Sequence, residues 1–146
     1  MEKQCVITTL EEYAVFSLLV NNDNSFIPPI SQSIDIQQYA SKLAKYAQFV
    51  ICSEVNSYVG MIAFYTNIKE NQIYIPYVHV SPNYRRQGIA EYMFNYLQQN
   101  ISGYNTIALE VRKENKAACD LYKKLNFKMI EKRGEKYLMV RFNKIN

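Results

Sequence analysis

The sequence is poor in the residues on which several common nucleotide sites depend. It contains four glycines, and only Gly88 lies in a predicted turn between a strand and a helix. A Rossmann fingerprint needs three glycines in such a turn, so that site is excluded. No Gly-Lys-Ser or Gly-Lys-Thr follows Gly88, which excludes the phosphate loop of nucleoside triphosphatases.

Histidine and cysteine are also scarce. The chain has one His and three Cys, and no two cysteines form a Cys-x-x-Cys pair. We therefore expect no metal site. Cys5, Cys52 and Cys119 lie far apart in the sequence, and we expect all three to be reduced and mostly buried thiols.

Long hydrophobic runs and basic stripes are missing as well. No apolar run approaches the roughly 20 residues of a membrane-spanning helix. The N-terminus lacks the basic-then-apolar order of a signal peptide, so the expected location is the cytoplasm, with no membrane partner. The net charge of +4 is modest, and Lys and Arg are spread along the chain, so we expect no nucleic-acid partner.

The composition and the apolar spacing predict one globular domain spanning residues 1–146. The hydrophobic content of 49% and the length of 146 residues suffice for one sizeable core. Apolar spacing predicts helices at 10–20, 35–46, 89–99 and 116–125. Extended runs predict strands at 4–8, 49–54, 59–66, 72–80, 106–111, 127–132 and 136–142.

The element order is (β)ααβββαβαββ, which predicts an α/β fold of the α+β type. We expect a mixed, mostly antiparallel sheet with helices on both faces. Thr9 is the predicted N-cap of the first helix, and Asn56-Ser57 is the predicted turn after the 49–54 strand. Pro76 cannot donate to a ladder, so its strand is predicted to splay or bulge there.

A basic, glycine-containing turn joins the 72–80 strand to the helix that begins near Ile89. Such a turn leaves several backbone N–H groups unpaired, and the helix dipole adds positive potential. Gly88 lets a ligand approach the backbone, and the small Ala90 leaves room in the first helical turn. The sequence therefore predicts an anion site for a phosphorylated cofactor. The alternative is a simple helix start at which Arg85 and Arg86 are solvated.

Two blocks of sequence resemble the GNAT superfamily of acetyltransferases. The run YVHVSPNYRRQGIA at 77–90 resembles the acetyl-CoA-binding motif R/Q-x-x-G-x-G/A, with Arg85, Gly88 and Ala90 at the defined positions. The runs LEVR at 109–112 and LYKKLNF at 121–127 resemble the second half of the family. Asn126 departs from the usual Gly, but Asn tolerates a left-handed helix end. The resemblance covers roughly residues 73–127.

The resemblance implies an acetyl-CoA-dependent N-acetyltransferase with a GNAT-like fold and no metal. The pyrophosphate would be held by N–H groups of the turn formed by Arg85, Arg86, Gln87, Gly88, Ile89 and Ala90. The pantetheine arm and the thioester carbonyl would bind the backbone of Val78, His79 and Val80. Asn115 would also contact the arm, and its plainer role as a helix N-cap stays open.

The resemblance also assigns two catalytic residues. Tyr122, with an ordinary pKa of about 10, would contact the cofactor and act as general acid to the departing thiolate. The alternative is a Tyr with a packing role only. Glu110 matches the proposed base of the ribosomal-protein N-terminal acetyltransferases and would take the amine's proton, through water. The alternative is a Glu paired with Arg112 or a neighbouring Lys.

For two further residues, His79 and Cys119, the sequence leaves more than one role open. His79 is the only His, and it is either a substrate contact, a proton relay or a structural residue. Cys119 would be the nucleophile of a ping-pong mechanism, but no His lies near it in sequence to activate it. We therefore favour direct transfer.

The acceptor is the least determined part of the prediction. The segment 22–46, with FIPPI at 26–30, would form the acceptor side in this family, and it has no acidic cluster to attract a polyamine. It does not resemble the ribosomal-protein enzymes. We expect a small amine or an amino sugar, with a protein N-terminus or a lysine as the alternative. A non-catalytic acyl-CoA-binding sensor or interaction module is the alternative of another class, and a homodimer is left open.

Overall fold

The computed structural model describes residues 3–26 and 29–143. The strands are β1 Lys3–Thr8, β2 Gln48–Glu54, β3 Ser57–Asn67, β4 Gln72–Val80, β5 Thr106–Arg112, β6 Lys128–Arg133 and β7 Lys136–Phe142. The helices are α1 Glu12–Asn22, α2 Ile36–Tyr46, α3 Ile89–Asn100 and α4 Lys116–Lys124. Short 3-10 turns occupy Asp23–Ser25, Ile30–Gln32 and Pro82–Tyr84. None of the helices in the described ranges is long and apolar enough to span a bilayer.

The strands form a seven-stranded sheet in the order β1-β2-β3-β4-β5-β7-β6. The β4–β5 pair is parallel, whereas β1–β2, β2–β3, β5–β7 and β6–β7 are antiparallel. A parallel pair needs a crossover, and α3 supplies the helix of that connection. The mixed, mostly antiparallel sheet confirms the predicted fold class, including the extra first strand.

The chain packs into two compact units. The first comprises the described residues up to 64 together with 77–100, and the second comprises 65–76 and the described residues from 101 onwards. Large side chains fill the core of the first unit, among them Phe49, Phe64 and Phe94. Ile73, Ile107 and other buried side chains form the core of the second. The single domain over 1–146 stays a prediction.

Two local predictions were wrong. The helix α1 begins at Glu12 after an N-cap at Glu11 that makes no side-chain cap bond, so Thr9 is not the cap. The chain is still non-helical at Thr9, whose carbonyl accepts a bond from the Thr8 hydroxyl.

The β2–β3 turn is centred on Val55 and Asn56 rather than on Asn56-Ser57, with φ of 50° and 64°. Positive φ at both central residues matches the twist of a two-residue hairpin.

The pairing of β4 explains how Pro76 is accommodated. The parallel register joins Gln72–Ile75 to Thr106–Leu109. Pro76 follows the last of these pairs. Because proline has no N–H to donate, its place after the last of these pairs leaves the β4–β5 ladder intact.

Candidate functional site

The predicted anion site is a sharply bent turn at the start of α3. Arg86 has a φ of 61° and Gly88 a φ of 78°, so two residues of the turn are left-handed. The Gly88 carbonyl accepts the Tyr92 N–H at 3.0 Å, which makes Gly88 the residue that opens the helix. The N–H groups of the first helical turn have no partner within a helix, and the dipole makes this end positive. This geometry suits a phosphate group.

Hydrogen bonds within the preceding residues hold the start of the turn, where the Arg85 N–H donates to the Pro82 carbonyl at 3.4 Å. The Arg85 Nε donates to the Val80 carbonyl at 3.2 Å, and the Gln87 amide donates to the Asn83 carbonyl at 3.1 Å. A Cβ added at Gly88 would meet no protein atom within 4 Å. The space beside Gly88 is therefore free for a ligand to approach.

His79 lies in β4, and its side chain is only 3% exposed. Its Nδ1 is 3.0 Å from the Tyr58 hydroxyl. Burial, and after it the positive charge of Arg85, lowers the pKa of His79 to about 4, so the imidazole is neutral at neutral pH. The His79 Nε2 and the buried Tyr77 hydroxyl have no hydrogen-bond partner among the described residues.

Aromatic rings surround this imidazole. The Tyr58 ring stacks on it with centroids 6.0 Å apart and planes at 9°. Phe26 lies 5.1 Å from the Tyr77 ring and 5.9 Å from the His79 ring. Alternation along β4 places Tyr77 and His79 on one face. Phe26 belongs to the predicted acceptor segment, but its contact with His79 was not predicted, and nothing in the sequence indicated Tyr58. Ile27 and Pro28 of the predicted acceptor segment lie outside the described residues.

Gly60 is a residue whose role sequence reasoning missed. A Cβ there would lie 2.7 Å from the His79 carbonyl oxygen and 3.2 Å from Cε of Met93. Next to it, the Ser81 N–H donates to the Val59 carbonyl at 2.7 Å. Glycine at this position lets the β3 backbone approach β4 at His79. The only sequence feature that indicated this close approach was a glycine inside a predicted strand.

In the second unit, Glu110 belongs to a polar cluster of three side chains. Tyr74 donates its hydroxyl to Oε1 at 3.2 Å, and the Arg133 Nη1 lies 3.6 Å from Oε2. Glu110 is 25% exposed, so water reaches the carboxylate. Burial first, and then the charge of Glu110, raises the pKa of Tyr74 to about 12 and keeps its hydroxyl a donor.

The alternative for Glu110 was an ion pair with Arg112 or a neighbouring Lys, and the structure places Arg133 there. Arg112 pairs with Glu114 instead, at 2.7 Å, because Arg112 ends β5 and Glu114 lies in the loop that follows. Arg133, at the end of β6, takes the place beside Glu110. Neither Tyr74 nor Arg133 was expected from the sequence.

The ends of α4 hold Tyr122 in a defined position. The Asn115 side chain accepts the Ala118 N–H at 3.1 Å, which confirms the predicted N-cap. At the other end, the Phe127 N–H donates to the Tyr122 carbonyl at 2.9 Å, and Asn126 has a φ of 72°. This is a Schellman motif, and the predicted left-handed Asn126 is confirmed. The Phe127 ring packs edge-on against Tyr122 with centroids 5.6 Å apart.

Tyr122 and Cys119 are both buried on α4. Burial first, and the neighbouring Cys119 second, raises the pKa of Tyr122, so the phenol keeps its proton at neutral pH. Burial also raises the pKa of Cys119, whose thiol donates to the Arg112 carbonyl with a separation of 3.7 Å. A protonated phenol is able to donate a proton, whereas a protonated thiol is a weak nucleophile.

The predicted site residues are thus divided between the units. The first unit contains Val78, His79, Val80 and the whole turn from Arg85 to Ala90. The second contains Glu110, Asn115 and Tyr122. Within residues 3–26 and 29–143, no group of three or more His, Cys, Asp or Glu side chains is placed to hold a metal ion.

Comparison with known sequences gives one family match. The model of the acetyltransferase (GNAT) family matches residues 13–127. No curated protein matches the sequence.

Solved structures of the same fold are numerous. The PaiA N-acetyltransferase of Thermoplasma acidophilum, solved with coenzyme A, has a TM-score of 0.75 and 15% identity, covering 96% of this chain and 99% of the other. The ribosomal-protein-S18-alanine N-acetyltransferase of Escherichia coli has a TM-score of 0.75 and 18% identity, covering 98% and 96%. Naa50 of Arabidopsis thaliana, solved with a bisubstrate analogue, has a TM-score of 0.69 and 20% identity, covering 94% and 97%.

Proposed function

Because the chain belongs to the acetyltransferase (GNAT) family, we propose that it transfers acetyl from acetyl-CoA directly to a primary amine. Family membership confirms the predicted enzyme class, and acetyl-CoA is the co-substrate of that class. The acceptor we propose first is a small amine or an amino sugar. Three statements stay predictions: the chain forms one domain over residues 1–146, it forms a homodimer, and it is located in the cytoplasm.

The observation that carries the proposal is the open turn at Gly88. Its positive φ and the empty space beside it expose main-chain N–H groups at the start of α3. In the proposal, N–H groups of the turn from Arg85 to Ala90 bind the diphosphate of coenzyme A. The Arg85 N–H is engaged with the Pro82 carbonyl, so the donors are those from Arg86 onwards. Since Arg85 and Gln87 are engaged with Val80 and Asn83, they stabilise the shape of the turn.

The remaining cofactor contacts are proposed for β4 and α4. The backbone of Val78, His79 and Val80 would hydrogen-bond the pantetheine arm and the thioester carbonyl. Asn115 uses its Oδ1 to cap α4, which leaves its Nδ2 to donate to the arm. The capping role and the cofactor role therefore coexist in one side chain.

The proposed chemistry is a single displacement. The neutral amine attacks the thioester carbon, and strand N–H groups stabilise the oxyanion that forms. The carbon–sulfur bond then breaks, and Tyr122 donates its proton to the departing sulfur, so that coenzyme A leaves as a thiol. Glu110 accepts the proton that the amine loses, through water, and Tyr122 is reprotonated from solvent.

The surroundings of Glu110 support a base that acts through water. Tyr74 and Arg133 engage one oxygen each and so orient the carboxylate. Each carboxylate oxygen still has a free lone pair, and the side chain is partly exposed. Cys119, held as a thiol, gives no support to a ping-pong route.

A protein N-terminus or a lysine is the second acceptor class. The name of one solved neighbour gives an alanine of ribosomal protein S18 as its acceptor, and Naa50 was solved with the bisubstrate analogue CoA-Ac-MVNAL. The identities of 18% and 20% are too low to transfer that substrate, and the 22–46 segment does not resemble the ribosomal enzymes. We therefore rank this class below small amines.

The test is release of coenzyme A from acetyl-CoA in the presence of an amine panel, read with a thiol reagent. The panel contains small amines, amino sugars and short peptides with free N-termini. We expect one thiol per acetylated amine with at least one member. Tight binding of acetyl-CoA without thiol release from any member would favour the non-catalytic module instead.

A further inference from the structure

Two of the three cysteines face each other across neighbouring strands. Cys5 of β1 lies directly opposite Cys52 of β2 in the antiparallel register. Directly opposed residues carry their side chains on the same face of the sheet. The two thiols are close enough to form a side-chain hydrogen bond. Their separation in sequence hides this pairing, because it follows only from the strand register.

The backbone at this position fits a disulfide. Opposed residues in an antiparallel pair have Cα atoms about 4.5 to 5.5 Å apart, within the range of about 4.4 to 6.8 Å that a disulfide spans. The strand β1 lies at the edge of the sheet, so it is able to adjust its position. On the other side of β2, the register with β3 shifts between Cys52 and Ser53, so the ladder is interrupted there.

We propose that Cys5 and Cys52 form a thiol–disulfide modification site. A small-molecule disulfide such as oxidised glutathione is the oxidant. The Cys5 thiolate attacks one of its sulfurs, forms a mixed disulfide and releases one glutathione thiol. The Cys52 thiolate then attacks the sulfur of Cys5, closes the intrachain bond and releases the second glutathione thiol. Two protein thiols lose their hydrogens, and one glutathione disulfide is reduced.

Burial sets the order of these steps. Cys5 is partly exposed, whereas Cys52 is 0% exposed, so the external oxidant meets Cys5 first. Burial, with Cys52 beside it, raises the pKa of Cys5 to about 12, and burial raises the pKa of Cys52 as well. Thiolates are therefore scarce at neutral pH, and the bond forms under sustained oxidation rather than in each turnover.

The disulfide would tie an edge strand to the sheet. The Lys3 carbonyl of β1 accepts the Tyr92 hydroxyl of α3 at 3.0 Å, so β1 also contacts the helix that opens at Gly88. A covalent link between residues 5 and 52 closes a long loop and reduces the freedom of the unfolded chain. We expect oxidation to raise the midpoint of thermal unfolding by several degrees.

The test uses the folded full chain with excess oxidised glutathione, followed by alkylation and peptide mapping. We expect a loss of two hydrogens in mass, a Cys5–Cys52 cross-linked peptide, and reversal by dithiothreitol. Cys119→Ser should behave like the wild type, whereas Cys5→Ser and Cys52→Ser should form no intrachain bond and show no rise in the unfolding midpoint.

Three results would overturn the proposal. One is a wild-type chain that keeps all three thiols alkylatable after denaturation. Another is glutathione retained on Cys5 as the final product, and the third is a cross-link that involves Cys119. The mapping on the wild type decides the matter even if a serine variant fails to fold, and it needs no acetyltransferase activity.

Discussion

The proposed cofactor turn and the Glu110 cluster are built in opposite ways. The turn from Arg85 to Ala90 is a short continuous run, and its proposed function depends on main-chain N–H groups and one open glycine. The cluster of Glu110, Tyr74 and Arg133 depends on side chains from three strands. Changes in the turn should therefore alter the affinity for coenzyme A, whereas changes to the side chains of Glu110 and Tyr122 should alter turnover.

The largest expected effect is that of Tyr122→Phe. Phenylalanine preserves the packing against Phe127 but removes the proposed proton donor to the leaving thiolate. We expect kcat to fall about 100-fold or more while the Kd for coenzyme A is unchanged. Steady-state kinetics and calorimetry measure the two quantities.

The matched control is Tyr137→Phe, which removes another phenolic hydroxyl in the same unit and should leave kcat near the wild-type value. Unchanged turnover in Tyr122→Phe would remove Tyr122 from the mechanism.

The next effect is that of Glu110→Gln, which keeps the shape of the side chain and removes the proposed base. We expect turnover to fall about 100-fold near neutral pH. The loss should shrink at alkaline pH, where hydroxide removes the proton that the attacking amine loses. A kcat profile against pH for both proteins measures this.

Glu131→Gln is the control for Glu110→Gln. Glu131 contacts the same guanidinium, with its Oε2 3.4 Å from the Arg133 Nε, but it is not part of the proposed chemistry. Its turnover should stay close to that of the wild type. An equal loss in both variants would show that the charge around Arg133 matters rather than a base at Glu110.

A smaller effect is expected from Gly88→Ala. Alanine at a φ of 78° costs roughly 1 to 2 kcal/mol of stability, and its Cβ would occupy the space assigned to the diphosphate. We expect the Kd for coenzyme A to rise about 10-fold or more, which corresponds to about 1.4 kcal/mol.

Gly103→Ala introduces the same kind of strain at a φ of 91°, also without a steric clash. Its stability should fall similarly while the Kd stays unchanged. Equal affinities for coenzyme A in the two variants would argue against a cofactor role for Gly88.

The smallest expected effect is a pH dependence of stability from His79. Its pKa is about 4 in the folded chain against an ordinary value of 6.5, so protonation favours unfolding. The stabilising contribution is complete above pH 6.5 and is lost as the pH falls towards 4. We expect a loss of about 1 kcal/mol between pH 6.5 and pH 5.

Denaturant unfolding of the wild type and of His79→Gln at both pH values measures the His79 contribution. The Gln amide has both a donor and an acceptor for the Tyr58 hydroxyl but does not titrate. An identical pH slope in the two proteins would contradict a buried, neutral His79.

The same contrast explains what the sequence was able to predict. The fold class, the turn at Gly88, the Asn115 cap and the left-handed Asn126 all follow from local signals and were predicted. The bond from Tyr74 to Glu110 follows from the parallel register of β4 and β5, in which Tyr74 is opposite Ala108. A register between strands more than thirty residues apart cannot be inferred from local spacing.

The other missed features have the same origin. The facing of Cys5 and Cys52 depends on the β1–β2 register, and the Phe26 contact to His79 depends on how a loop packs on β4. Thr9 was mistaken for a cap because its residue type favours that role, whereas the helix begins three residues later. Residue preference is a weak guide where tertiary packing decides the boundary.

Calorimetric titration of coenzyme A into the purified, folded chain is the most direct test of the whole account. The main-chain site beside Gly88 predicts saturable binding of one coenzyme A per chain, with comparable affinity for acetyl-CoA. A chain that is folded by circular dichroism but gives no binding heat with either ligand at several temperatures would contradict it.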